Sequence, residues 1–156
     1  MTISELPAHA AACLAPLLRQ LHDVHVARSP HLFHPTPDQA TLETFLTTWL
    51  DRDSFTALLA GSFERPLGYL VYEIEHRSGS VLTRPETRMM VHHICVDAAH
   101  RNQGIGRAMM EEAKRRARAE GVDRIGASVH MFNTASAALM ARSGLIPAIS
   151  YSSLDF

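Results

Sequence analysis

Apolar and polar positions alternate between helical and strand periods along this chain, dividing it into a helical entry, a run of strands and a closing succession of strands and helices. After a short strand at residues 1–4, Cys13, Leu14, Leu17, Leu18, Leu21 and Val24 recur at the spacing of one helix face, which predicts a helix over residues 7–28. Pro7 falls in its first turn, where the missing N–H is tolerated. Residues 28–37 hold three prolines and read as a loop, and Asp38 reads as the N-cap of a second helix that runs to about Asp51. Residues 55–60 and 67–76 follow as two strands joined by a turn, a hairpin.

The second half changes rhythm. A polar turn over residues 77–86 leads to a strand at 88–96, a glycine-bearing loop and a strongly helical stretch at 107–120 closed by Gly121. A strand at 124–131, a helix at 133–142 ended by Gly144, and one or two closing strands over 145–156, broken by Pro147, complete the pattern. Strand, loop, helix, strand implies a local parallel pair within a mixed α/β sheet that carries helices on its faces.

Composition narrows the classes. With 156 residues, 46% of them hydrophobic, the chain has apolar material for one well-buried core, so residues 1–156 are expected to form a single domain. A net charge of −1 gives no global attraction to nucleic acid or to an anionic membrane, and any anion site must be built locally. Cys13 and Cys95 match no metal or redox spacing and suit a reducing compartment. No apolar run approaches the roughly 20 residues of a membrane span, and no signal-peptide pattern opens the chain, so a cytoplasmic location is expected.

The chemistry concentrates in the loop Arg101-Asn102-Gln103-Gly104-Ile105-Gly106-Arg107 between a strand and a helix. A helix start offers unpaired N–H groups and a positive dipole end. The two glycines remove side chains that would block an anion, and Arg101 and Arg107 add charge. A dinucleotide fingerprint is disfavoured because Met109 stands where its third glycine should be, and a triphosphate loop because its Gly-Lys-Ser/Thr is absent.

The loop resembles the Arg/Gln-x-x-Gly-x-Gly/Ala signature of the GNAT N-acetyltransferase superfamily. The flanks follow the same family: Ile94-Cys95-Val96, then Asp97 to Arg101, and downstream Asn133, Leu139 and Gly144 at matching spacing. The resemblance covers residues 89–145. It implies a mostly antiparallel central sheet flanked by helices, with a parallel strand pair around a coenzyme A site. It further implies acetyl-CoA as cosubstrate, its pyrophosphate on the amides of Arg101 to Arg107. The backbone of Ile94 and Val96, beside a strand bulge, would hold the pantetheine arm, and Asn133 would help hold the cofactor.

An amine must lose a proton as it attacks, and histidine suits that task near neutral pH. On a regular strand His92 and His93 point to opposite faces; His92 shares one with Ile94 and Val96 and matches a base histidine in the arylalkylamine N-acetyltransferase branch. His92 is therefore the expected base, with His93 as second choice if a bulge reverses the faces. The resemblance also marks two absences: Met90 occupies the position of a frequent base glutamate, and Met140 that of a tyrosine that often protonates the departing thiolate. They leave, as the alternative, a GNAT fold that binds acyl-CoA without turnover. Tyr69, Tyr72 and Tyr151 are substitute proton donors.

His92, His93, Cys95, His100 and His130 lack metal-ligand spacing, and no metal is expected. Lys114, Arg115, Arg116 and Arg118 read as the solvated face of a helix rather than as a nucleic-acid surface. The expected partners are a small-molecule or peptide amine and, through a C-terminal strand, a second copy of the chain; no nucleic acid and no membrane are expected.

Overall fold

The computed structural model describes residues 2–154. Five strands, β1 (Ile3–Leu6), β2 (Phe55–Gly61), β3 (Pro66–Arg77), β4 (Glu86–Val96) and β5 (Arg124–Ala127), form one sheet whose spatial order is that of the chain. Strands β1 to β4 pair antiparallel, and β5 lies parallel to β4. The helices are α1 (Ala15–Arg28), α2 (Gln39–Leu50), α3 (Ile105–Ala119) and α4 (Thr134–Arg142). This is the mixed, mostly antiparallel sheet with one parallel pair that the sequence predicts.

Side chains alternate across a strand, so each strand feeds two cores. Ala57, Leu59, Tyr69, Val71 and Cys95 meet Leu17 and Leu18 of α1 and Leu42 and Leu46 of α2. On the opposite face Leu58, Leu70, Tyr72 and Val91 meet Met109, Met110 and Ala113 of α3 and Met140 of α4. The predicted N-cap is formed: the Asp38 carboxylate accepts the Thr41 amide at 2.8 Å, which holds its pKa below the usual carboxylate range. No helix among the described residues is long and apolar enough to cross a membrane.

Three expectations are corrected. The helix over residues 7–28 is two pieces, a 3-10 helix at Ala8–Leu14 followed by α1. Pro16 has no N–H and its ring would strike a preceding carbonyl, so the α-helix restarts with Pro16 in its first turn. The strand at 124–131 ends at Ala127, because its partner β4 bends away from Val91 onward. Residues 145–154 form no strand: Gly144, with φ +90°, turns the chain out of α4, and Pro147 removes a ladder donor. Met1, Asp155 and Phe156, which the expected first and last strands included, lie outside the described residues.

Candidate active site

Strand β4 carries one residue too many for its partner. Tyr72 pairs with Val91 and Val71 with His93, so His92 is the extra residue of a bulge. Pairing with β5 stops at the same level, at Val91 and Ala127. Past it the two strands part, and a cleft of about 280 Å3 opens between them. His92, His93 and Ile94 line it from β4, Ser128 and His130 from the segment after β5, and His25 and Phe33 close the side toward α1.

The bulge corrects the expected facing of the histidines. His92 does not share a face with Ile94 and Val96, which pack toward α3. It turns instead to the α1–α2 side, where its Nε2 lies 3.1 Å from a Glu73 oxygen and its ring meets Phe55 at 5.3 Å. His93 turns to the same side, its ring 4.7 Å from that of Trp49 and its Nδ1 3.3 Å from the Tyr69 hydroxyl. Two neighbouring residues thus enter one cleft, which a regular strand cannot arrange. Burial, and then the nearby His25, His92 and His22, press the His93 pKa down to about 4. Burial holds the Tyr69 phenol well above its ordinary value, so it stays protonated.

Beyond the bulge, the cleft edge of β4 is open. The Asp97 amide bonds back to Leu67 on β3. By the alternation of an antiparallel ladder, the backbone groups of Ile94 and Val96 therefore point the other way, toward the gap left by β5. One is already engaged: Arg101 Nε donates to the Val96 carbonyl at 3.2 Å.

That edge leads into the glycine loop. Asn102 has φ +61° and Gly104 φ +82°, and Gly104 caps α3 in the left-handed conformation. Arg101 and Asn102 form a turn, and beyond it, among the described residues, the backbone amides from Gly104 through Arg107 find no acceptor in the protein; Ala108 bonds to the Gly104 carbonyl at 2.9 Å. A run of free amides at a helix start is a site for an anion. A Cβ on Gly104 would meet nothing within 4 Å, so its surroundings are open to a ligand. Gly106 differs: a Cβ there would come 3.1 Å from Leu139, so this glycine also lets α3 approach α4. Arg107 is exposed beside these amides.

The start of the loop is tied to α1 by a residue that sequence reasoning missed. Gln20 donates to Asp97 Oδ1 at 2.9 Å and accepts the Ala98 amide at 2.9 Å, while His100 Nδ1 sits 2.5 Å from Asp97 Oδ2. The bonds from Gln20 and then His100 hold the Asp97 carboxyl below its usual range. A lone glutamine on a helix face, 77 positions away, carries no sequence signal of this.

The GNAT acetyltransferase family model matches residues 18–145, which span this cleft and loop. The chain belongs to the GNAT family. Among solved structures, a tetramutant of a Bacillus halodurans protein superposes with a TM-score of 0.87 at 21% identity, each chain covered over 100% of its length. Ribosomal-protein-alanine N-acetyltransferase from Brucella melitensis superposes at 0.70 with 19% identity, again over 100% of both chains. An aminoglycoside antibiotic 6′-N-acetyltransferase from Acinetobacter haemolyticus superposes at 0.68 with 18% identity, over 100% of this chain and 99% of that one. These likenesses show the fold. No curated protein matches. Family membership carries acyl transfer in general.

The other GNAT positions fall as follows. Asn133 lines the cleft and caps α4, its side-chain oxygen accepting the Ser136 amide at 3.1 Å. Met140 is buried at the cleft wall, so no hydroxyl stands at the usual tyrosine position. Tyr72 is buried on the α3 side, Tyr151 is exposed on the C-terminal segment, and Tyr69 stands behind His93. The five residues weighed as metal ligands do not converge among the described residues. A different set does, Glu73, Glu75 and His92, but Glu75 already gives its carboxylate to Arg88 at 2.6 Å. On α3, Lys114, Arg115 and Arg116 are paired with Glu111 and Glu112.

Proposed function

We propose that this GNAT protein transfers an acetyl group from acetyl-CoA to a primary amine by direct attack in a ternary complex. The observation that carries the reading is the run of free amides from Gly104 to Arg107, joined by the open edge of β4 to a cleft containing His92. The loop fits a pyrophosphate: its amides are unpaired, Gly104 leaves them accessible, and Arg107 adds charge. The outward groups of Ile94 and Val96 fit an amide-bearing arm, which would add to β4 as a strand does. Asn133 stands across the same cleft, its side-chain N–H groups without a partner among the described residues. Bound there, acetyl-CoA supplies an acetyl group activated as a thioester.

His92 accepts the amine's proton. Its Nε2–H donates to Glu73, which leaves the Nδ1 lone pair for a substrate proton. Binding both partners in one cleft removes the entropy cost of their encounter. With Met140 in the wall, the thiolate takes its proton from His92 or water, and a thiol is a tolerable leaving group. The methionines at positions 90 and 140 support a second reading, a module that binds acyl-CoA without turnover. Thiol release from acetyl-CoA on addition of a panel of primary amines separates the two: amine-dependent release supports transfer, and binding without release supports the module.

A further inference from the structure

The pair formed by His93 and Tyr69 has no place in the transfer as described. We propose that His93 is a neutral hydrogen-bond donor, held by Tyr69 as the Nε2–H tautomer and aimed into the cleft at the oxygen that gains charge during acyl transfer. This rests on the acyl-transfer reading above.

The tautomer follows from where the phenol proton can go. Tyr69 is fully buried, and among the described residues its hydroxyl has one side-chain partner, the Nδ1 of His93 at 3.3 Å. A buried hydroxyl that donates to nothing carries a desolvation cost. If Nδ1 carried a proton, the phenol would have to accept, and its own proton would be stranded. The satisfied arrangement has Tyr69 donating to Nδ1, which puts the ring proton on Nε2.

The direction of Nε2 follows from the same geometry. Nε2, separated from Nδ1 by Cε1, directs its N–H away from Tyr69; it has no hydrogen-bond partner among the described residues, yet it is not sealed in the interior. His93 lines the cleft, and its unsealed, unbonded Nε2–H is the donor that it can offer to what occupies the cleft. The rings of Trp49 and Tyr69 fix its plane.

Such a group is a poor base and a good donor. A pKa near 4 matches an amine's proton badly, but it keeps the ring neutral through the physiological range. The bulge therefore presents two imidazoles with different work. As the C–N bond forms, His92 takes the amine's proton. The carbonyl oxygen gains negative charge and is met by His93 Nε2–H, which is shared and not transferred. As the C–S bond breaks, the oxygen's charge is withdrawn, and the proton held by His92 passes to the thiolate directly or through water. A preorganised donor of this kind is worth about 10²–10³ in kcat.

The test begins on the free protein. Two-bond 1H–15N spectra at pH 7 are expected to show His93 as the Nε2–H tautomer, and Tyr69→Phe is expected to move its Nδ1 resonance. An Nδ1–H tautomer or an imidazolium at pH 7 overturns the proposal whatever the enzyme does. In turnover, His93→Leu is expected to lower kcat about 100-fold while keeping the KM for acetyl-CoA and the thermal shift that it causes. His93→Gln, which keeps a donor N–H, is expected to recover at least tenfold over His93→Leu. A kcat for His93→Leu within twofold of the unsubstituted protein also overturns it. Absence of a thermal shift in every form, the unsubstituted protein included, refutes acetyl-CoA binding and the donor role with it, while the spectra still report the tautomer.

Discussion

His92 Nε2 and Glu73 Oε2 lie 3.1 Å apart, a contact between β4 and β3 that exists because the bulge turns His92 toward the α1–α2 side of the sheet. The carboxylate fixes the tautomer and orientation of the ring. His92→Ala is expected to lower kcat by about 100-fold, with acetyl-CoA binding retained. Glu73→Ala should lower kcat by about tenfold through lost orientation. Steady-state thiol release across pH 5.5–9 checks both, and unchanged kinetics in His92→Ala would take the base role from His92.

Gln20 acts at a distance. It holds both Asp97 and the Ala98 amide at the entrance of the glycine loop. Gln20→Ala leaves these groups without their partner, at a cost of about 1–2 kcal/mol in stability. Because the same residues set the loop's start, the dissociation constant for coenzyme A should rise severalfold. Urea unfolding and calorimetric titration measure the two effects separately.

Gly104→Val tests strain apart from space. A Cβ there meets nothing, but φ +82° is a conformation that a β-branched residue adopts only at a cost of about 1–2 kcal/mol or more. The folded variant is expected to bind coenzyme A at least tenfold more weakly, since the added side chain stands among the free amides. Isothermal titration reads this directly, and wild-type affinity would separate the loop from the pyrophosphate.

The depressed pKa of His93 makes stability depend on pH with a definite sign. The unfolded chain takes up a proton near pH 6.5, whereas the folded one refuses it until about pH 4. The stability tied to this group is complete above pH 6.5, declines as pH falls through 6.5 to 4, and is lost below that, a change of the order of 3 kcal/mol. Asp97 and Glu112, whose pKa values are lowered by their hydrogen-bond partners, add a further loss on the acid side. Urea unfolding between pH 7.5 and 4 should show a shallower slope for His93→Leu than for the unsubstituted protein. Parallel slopes would mean that His93 titrates normally.

Much of the fold is legible because the signals are local. Asp38 capping α2, Gly121 and Gly144 ending helices, and the strand–loop–helix at residues 88–120 each depend on a few neighbouring residues. The facing of His92 and His93 is not legible from alternation, because one inserted residue reverses it; the resemblance implies a bulge on this strand, but its position is fixed only by the register against the partner strand. The contacts that complete the site, Glu73 to His92, Tyr69 to His93 and Gln20 to Asp97, join distant segments, and no spacing within one segment announces them. The end of the chain fails for another reason: Ile146, Ile149, Tyr151 and Leu154 carry the apolar residues of strands, but among the described residues nothing pairs with them.

The central claim is that the loop and cleft form an acetyl-CoA site, and thermal unfolding with and without acetyl-CoA tests it most directly. A ligand that binds only the folded state stabilises it by about 2.7 kcal/mol at 100 times its dissociation constant. A saturable rise in Tm, reduced in Gly104→Val and retained in His92→Ala, is the expected result. No rise at millimolar acetyl-CoA would contradict the account and leave the loop a structural turn.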